Sequence, residues 1–120
     1  MEELYGLFSG QGQSPQLATA LPMPGGGLVT EGQDITEGVA LFAPAGISYA
    51  PAEGEQLLLL PFGDYYVCVG AQVSTQGVAP GELVLKSTGG AMLQLKNSGE
   101  VCINGLTITK DGHLLDRGEG

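Results

Sequence analysis

Two pairs of neighbouring carboxylates, Glu2/Glu3 and Glu53/Glu55, have a spacing that could support acid–base chemistry. Paired carboxylates do such work when their environments differ. One pair lies in a Gly- and Gln-rich lead and the other in a turn sequence, where solvated surface charge is expected. His113, the single histidine, has no G-x-S-x-G nucleophile elbow to pair with. We therefore predict that the chain is not an enzyme.

Two cysteines and a glycine triplet are the other residues with chemical potential. Cys68 and Cys102 lie in the apolar runs YYVCVG and EVCING, which favours buried free thiols acting as small hydrophobic side chains. Their spacing leaves a disulfide open, but no CxxC motif or Cys/His cluster indicates zinc. The glycines at 25–27 are not followed by the helix and Lys-Ser/Thr pair of a phosphate-binding loop. We therefore predict no cofactor.

The composition is typical of an all-β protein. The 120 residues include 21 Gly and 7 Pro, and short apolar runs alternate with Gly, Pro and Asn. A net charge of −9 offers no basic surface to phosphates, which argues against nucleic acid and anionic lipid as partners. The first residues lack a signal-peptide pattern, and the longest apolar run, LLLLPF, is too short to span a membrane. We expect a protein that is made in the cytoplasm and is soluble there.

Residues 1–15 form a polar lead, and residues 16–76 contain five strand-like runs. FGDYY is typical of a tight hairpin between the last two runs. Because LLLL and YYVCV are continuous rather than alternating, we expect both faces of these strands to be covered. Five strands in this length predict a small OB-type barrel. The five runs are QLATALP, GLVTEG, EGVALFAP, GEQLLLLPF and YYVCVGAQV.

Residues 80–120 contain shorter runs in which large apolar residues alternate with other residues. One face is polar and the other is apolar, and we expect no later domain to cover the apolar face. A single layer of short strands cannot bury such a face alone, so we expect self-association, with three chains around a common core. The runs are ELVLK, AMLQLK, EVCIN, LTIT and HLL. The predicted core residues are Leu83, Leu85, Leu93, Leu95, Val101, Ile103, Leu106 and Ile108, with Leu114 continuing the pattern. The predicted polar face carries Glu82, Lys86, Gln94, Lys96, Glu100, Asn104, Thr107 and Thr109.

The motifs at residues 46–64 and 80–90 resemble those of the Mu-type phage baseplate spike family, also called baseplate assembly protein V. The first motif ends the barrel of that family, and the second opens a triple-stranded β-helix. The resemblance covers about residues 38–109. The matching residues are Gly46, Ser48, Pro51, Gly54, Glu55, Pro61, Gly63 and Asp64, followed by Pro80, Gly81, Glu82, Leu85 and Gly89 or Gly90.

This resemblance implies a homotrimeric spike at the baseplate tip of a contractile tail. Its OB-type barrel would be followed by a short intertwined β-helix, and the spike would pierce the host envelope without catalysis. It implies a virion location, a baseplate hub protein as partner with residues 1–15 as a hub contact, and a C-terminal tip. Spikes of the family often end in a His-x-His apex that binds iron, whereas this chain has only His113, so a metal ion would need one ligand from each of three chains. The tip residues would be His113, Leu114, Leu115, Asp116 and Arg117.

Two binding functions remain as alternatives. LPMPGGGLVTEGQDITEGVALF is similar to a line of the biotinyl and lipoyl carrier domains, but no lysine follows until Lys86. A small OB-type binding module would need aromatic residues interleaved with basic ones. Tyr49, Tyr65 and Tyr66 are present, but basic residues are absent around them.

Overall fold

The computed structural model describes residues 14–22 and 25–115 and shows an all-β protein. The described residues form eleven strands and no helix, which confirms the prediction of an all-β protein. The chain divides into two compact units between Val73 and Ser74. The sequence-based boundary falls at residues 76–80.

The first unit is a six-stranded sheet. Its strands follow in the order β3-β2-β1-β5-β6-β4, and every neighbouring pair is antiparallel except β4 and β6, which are parallel. The strands are β1 Gln16–Leu21, β2 Val29–Glu31, β3 Ile35–Thr36, β4 Ala40–Leu41, β5 Gln56–Phe62 and β6 Tyr65–Ala71.

The two edges of this sheet, β3 and β4, are separated by only three residues of the chain, so the sheet curls. The Val39 N–H donates to the Leu28 carbonyl at 3.1 Å, and the Phe42 N–H donates to the Cys68 carbonyl at 2.8 Å. The prediction of one strand over residues 37–44 is therefore wrong in its extent, because only β4 within this run is a strand. Gly38 adopts a φ of 66°, which breaks the extended conformation between β3 and β4.

The core of the first unit lies on the inner side of the curled sheet. Leu57 and Leu59 of β5 are almost completely buried, whereas Leu58 between them is 41% exposed. Among the described residues, the expectation that this strand is covered on both faces is therefore wrong. Thr30 is also fully buried, and its Oγ1 has no hydrogen-bond partner among the described residues. The buried cluster is Ala18, Ala20, Leu28, Val39, Leu57, Leu59 and Cys68.

The FGDYY sequence forms the predicted tight hairpin between β5 and β6. Phe62 pairs with Tyr65 across a two-residue loop, and Gly63 has a φ of 66°. Their rings meet edge to face with centroids 5.7 Å apart.

The second unit is an antiparallel meander whose five strands lie side by side in sequence order. Three of its four hairpins close in the same way: the first residue's N–H donates to the carbonyl four positions later, at 2.7–3.0 Å. The fourth hairpin is the two-residue turn Asn104–Gly105, with φ values of 51° and 89°. The strands are β7 Leu83–Lys86, β8 Met92–Leu95, β9 Val101–Ile103, β10 Leu106–Ile108 and β11 Leu114–Leu115, and the three similar hairpins join Ser87 to Ala91, Lys96 to Glu100 and Thr109 to His113.

The segment that enters the meander is held by the turn after β8. The Asn97 backbone N–H donates to Glu82 Oε2 at 3.1 Å, and Asn97 Nδ2 donates to the Pro80 carbonyl at 2.9 Å. Gly81 lies so close that an added Cβ would be 2.8 Å from Asn97 Oδ1. The Pro-Gly-Glu sequence is therefore a structural anchor for the start of β7.

Candidate functional site

One face of the second unit consists only of aliphatic side chains. Residues directly opposite each other in antiparallel strands share a face of the sheet. The strand pairing therefore places nine residues in two parallel rows, which we call the aliphatic face. The first row is Leu83, Leu95, Val101, Ile108 and Leu114, and the second is Leu85, Leu93, Ile103 and Leu106.

The aliphatic face is largely exposed in the single chain. Six of its residues keep between 40% and 67% of their surface, and the other three are half-buried. Complete burial of a Leu or Ile side chain is worth about 1.5–3 kcal/mol, so covering the exposed part of these six would contribute roughly 4–9 kcal/mol per chain. The six exposed residues are Leu83, Leu85, Leu95, Ile103, Leu106 and Leu114.

The opposite face of the meander is mixed rather than uniformly polar. Gln94 and Thr107 lie there as predicted, and they flank Cys102, which is 8% exposed. The Cys102 Sγ lies 3.5 Å from Thr107 Oγ1. Val84 and Met92 also lie on this face, so the strand pairing concentrates large aliphatic side chains on one side without excluding them from the other.

The structure places the described part of the predicted tip in a hairpin. Leu114 and Leu115 form β11, which pairs with β10. The His113 N–H donates to Thr109 Oγ1 at 3.1 Å, and its carbonyl accepts from the Thr109 N–H at 2.7 Å. The predicted tip residues Asp116 and Arg117 lie outside the described residues. Within the part of the chain that is described, no three His, Cys, Asp or Glu side chains are grouped around a metal site.

The cysteines are the two buried free thiols that the sequence favours. Cys68 and Cys102 are both buried and unpaired with each other, so the disulfide alternative is wrong. Burial raises the pKa of the Cys68 thiol above its ordinary value of 9.0. The thiol lies 3.8 Å from the Gly70 carbonyl, which accepts from it. A neutral, covered thiol is a packing residue and a poor nucleophile.

Of the carboxylate pair at 53 and 55, only Glu55 is hydrogen-bonded within the turn among the described contacts. Glu55 Oε1 accepts from the Ala52 N–H at 2.8 Å, and Glu53 is exposed. The other pair, Glu2 and Glu3, lies outside the described residues. Among the tyrosines, the Tyr66 hydroxyl donates to the Ser14 carbonyl at 3.0 Å.

The first unit contains an open cavity of about 440 Å³ in the loop after β4. Its lining has no charged side chain, and Phe42, Ile47 and Tyr49 within it are each at least 40% exposed. No sequence motif predicts this cavity; the only signal for it is three large apolar residues spaced along a loop rich in Ala, Pro and Gly. The lining residues are Leu41, Phe42, Ala43, Ile47, Ser48 and Tyr49.

The comparisons with known proteins do not assign the chain to a family. No protein-family model matches it, and a search of curated proteins found no significant match. The described residues also contain no helix that is long and apolar enough to cross a membrane.

Proposed function

We propose that the chain is the central spike at the baseplate tip of a contractile phage tail or of a related headless contractile particle. In this role it is a homotrimer that pierces the host envelope on contraction, and it is a structural protein rather than an enzyme. The aliphatic face carries the proposal, because its nine aliphatic side chains lie in two rows and six of them are exposed in the described chain.

The width of the aliphatic face favours three copies over two. The face is only two residues wide, and a short turn joins each strand to the next. Two such ribbons packed face to face would leave both long sides of their core open to water. Three ribbons inclined around one axis meet along all their long sides and enclose the core. This is the arrangement expected of a short triple-stranded β-helix.

The strand order of the first unit supports an OB-type barrel before the spike. If β3 and β4 are counted as one interrupted strand, every strand of this unit has a neighbour on both sides. That order corresponds to a five-stranded Greek-key barrel of the OB type. The barrel would sit on a baseplate hub protein in the virion, with the second unit pointing towards the host envelope. The hub contact that the sequence places in residues 1–15 falls mainly on residues outside the described ones.

The mass of the purified protein in solution tests the trimer. Since one chain has a mass of 12.3 kDa, light scattering should give about 37 kDa, three times that value, and the mass should not fall on dilution. A monomer at micromolar concentration would contradict the proposal, because the aliphatic face would then be stable in water.

The open cavity in the first unit is the observation that favours one second candidate, a small OB-type binding module. Its lining combines large side chains such as Phe42 and Tyr49 with polar surface, and it has no charged side chain. A monomeric protein that binds a small uncharged ligand at Phe42 and Tyr49 would support this function and exclude the spike. A carrier domain is not favoured, since Lys86, the first lysine of the chain, lies at the end of β7 in the second unit.

A further inference from the structure

The outer side of the first unit carries a second exposed apolar surface, separate from the aliphatic face. Leu58, Leu60 and Phe62 alternate along β5 and so share one side of the sheet. Leu17 of β1 pairs with Leu58, and Tyr65 of β6 pairs with Phe62, which extends the surface over three strands. We call these five residues the outer apolar surface.

The outer apolar surface is unusual because several large apolar side chains that lie next to one another are exposed together. Leu17, Phe62 and Tyr65 each keep more than half of their surface, and Leu58 keeps 41%. Single exposed apolar residues are common, but a contiguous patch over three strands is typical of a contact site. The continuous run LLLLPF has the pattern of a strand covered on both sides, and the described residues cover only one of them.

The charge of the first unit is entirely negative. From Met1 to Val73 the sequence has eight Asp and Glu and no Lys, Arg or His, whereas the rest has five Asp and Glu against four Lys and Arg. Two of these carboxylates border the outer apolar surface. Glu31 pairs with Thr19 on the same side of the sheet as Leu17, and Asp64 lies in the turn between Phe62 and Tyr65. Both carboxylates are exposed.

This charge distribution decides between a second copy and a different protein as the occupant. The first unit of a second copy would bring more carboxylates and no cation to pair with them. Like charges across an interface are unfavourable. A foreign surface with an apolar centre and a Lys/Arg border would complement both features. We propose that the outer apolar surface binds such a basic protein surface. This partner is inferred from the first unit alone and does not depend on the trimer.

Peptide binding to the full-length protein tests this proposal. The probe is an amphipathic peptide of about 14 residues with Leu on one helical face and Lys on the other, and the control peptide has Glu in place of Lys. The Leu/Lys peptide should bind, and its affinity should fall severalfold between about 50 and about 300 mM salt because the screening length shortens. The Leu/Glu peptide should not bind. Binding that is equal for both peptides, or absent for both, would overturn the proposal.

Matched variants locate the binding site. Leu58→Ser should weaken binding of the Leu/Lys peptide about tenfold, whereas Val73→Ser, which changes an apolar residue that is 76% exposed and outside this surface, should not. Asp64→Asn should weaken it severalfold, and Asp111→Asn in the second unit should leave it unchanged. Because Leu58 and Asp64 are exposed, both variants should keep the wild-type circular dichroism spectrum. Equal binding by Leu58→Ser and Val73→Ser would overturn the proposal.

Two further outcomes separate this proposal from the proposed function. A Leu58→Ser variant of lower solution mass than the wild type would mean that a second copy occupies the outer apolar surface, which overturns the basic partner. A trimer that binds neither peptide would refute the basic partner and leave the spike intact. A monomer that binds the Leu/Lys peptide through Leu58 would refute the spike and leave the basic partner intact.

Discussion

Leu95→Asp is the substitution that most directly tests the aliphatic face. Leu95 lies in the first row, with Leu83 on one side and Val101 on the other, and it is 40% exposed in the single chain. In a trimer, three copies of the residue would face one another around the axis. The substitution should therefore abolish the trimer while leaving the first unit folded.

The expected magnitude has two parts. Losing the burial of the exposed 40% of Leu95 costs about 0.6–1.2 kcal/mol per chain, or about 2–4 kcal/mol per trimer. Placing a carboxylate in a water-excluded core costs several kcal/mol for each ion, and three like charges repel one another. The sum, roughly 10 kcal/mol or more per trimer, offsets a large part of the roughly 12–27 kcal/mol that covering the exposed residues of three chains would contribute. Because association also costs about 4–15 kcal/mol in lost translational and rotational freedom, the remainder should not hold the trimer together.

Light scattering provides the assay, and Leu115→Asp provides the control. Leu115 pairs with Thr107 on the opposite face of the meander and is 47% exposed, so the same substitution there introduces the same charge outside the proposed core. Leu95→Asp should give a mass of one chain, and Leu115→Asp should keep the wild-type mass. A trimer of Leu95→Asp with unchanged thermal stability would refute the assignment of the aliphatic face as a core, and so would equal disruption by the two variants.

Three smaller predictions concern stability. Thr30→Val should raise the free energy of unfolding by about 1–2 kcal/mol in a denaturant titration, because it removes a buried hydroxyl whose Oγ1 has no partner among the described residues; an unchanged or lower value would contradict this. Gly81→Ala should lower the free energy of unfolding by about 1–3 kcal/mol, and by more than Gly90→Ala does. Both glycines have a positive φ, but only at Gly81 would the added Cβ meet Asn97. Equal losses for the two variants would argue against the role of Gly81 and Asn97 as an anchor. Because burial raises the pKa of the Cys68 thiol, this thiol ionises at a lower pH in the unfolded chain than in the folded one, and the free energy of unfolding should fall as the pH rises above 9.0. The slope of the free energy of unfolding against pH should be smaller in Cys68→Ala. Equal slopes in the two proteins would exclude Cys68 as the source of the pH dependence.

The alternation of apolar residues made the second unit largely predictable. Strands with a period of two and turns at Gly or Asn-Gly fix both the hairpins and the face on which each residue lies. The eight predicted core residues therefore lie on one face of the meander, as the alternation indicated. Cys102 and Val84 show the limit of this reasoning, because alternation marks one face as apolar but does not require the other to be polar.

The features that could not be predicted depend on contacts between residues distant in sequence. The break at Gly38 requires a positive φ that arises only when β3 and β4 pair with different strands. The hydrogen bonds from Asn97 to Glu82 and Pro80 join positions that no local pattern connects. The exposure of Leu58 depends on what lies over β5, and a continuous apolar run gives no indication of whether that cover belongs to the same chain.

The regular hairpins of the second unit make its length adjustable. The turn glycines Gly81, Gly90 and Gly99 recur at every ninth position, and each interval supplies one strand. Because consecutive strands run in opposite directions, an insertion of two strands and two turns, about 18 residues, would restore the same inward side and lengthen the ribbon by about 10 Å. Tandem duplication within the gene could thus lengthen the ribbon in discrete increments without redesigning its packing.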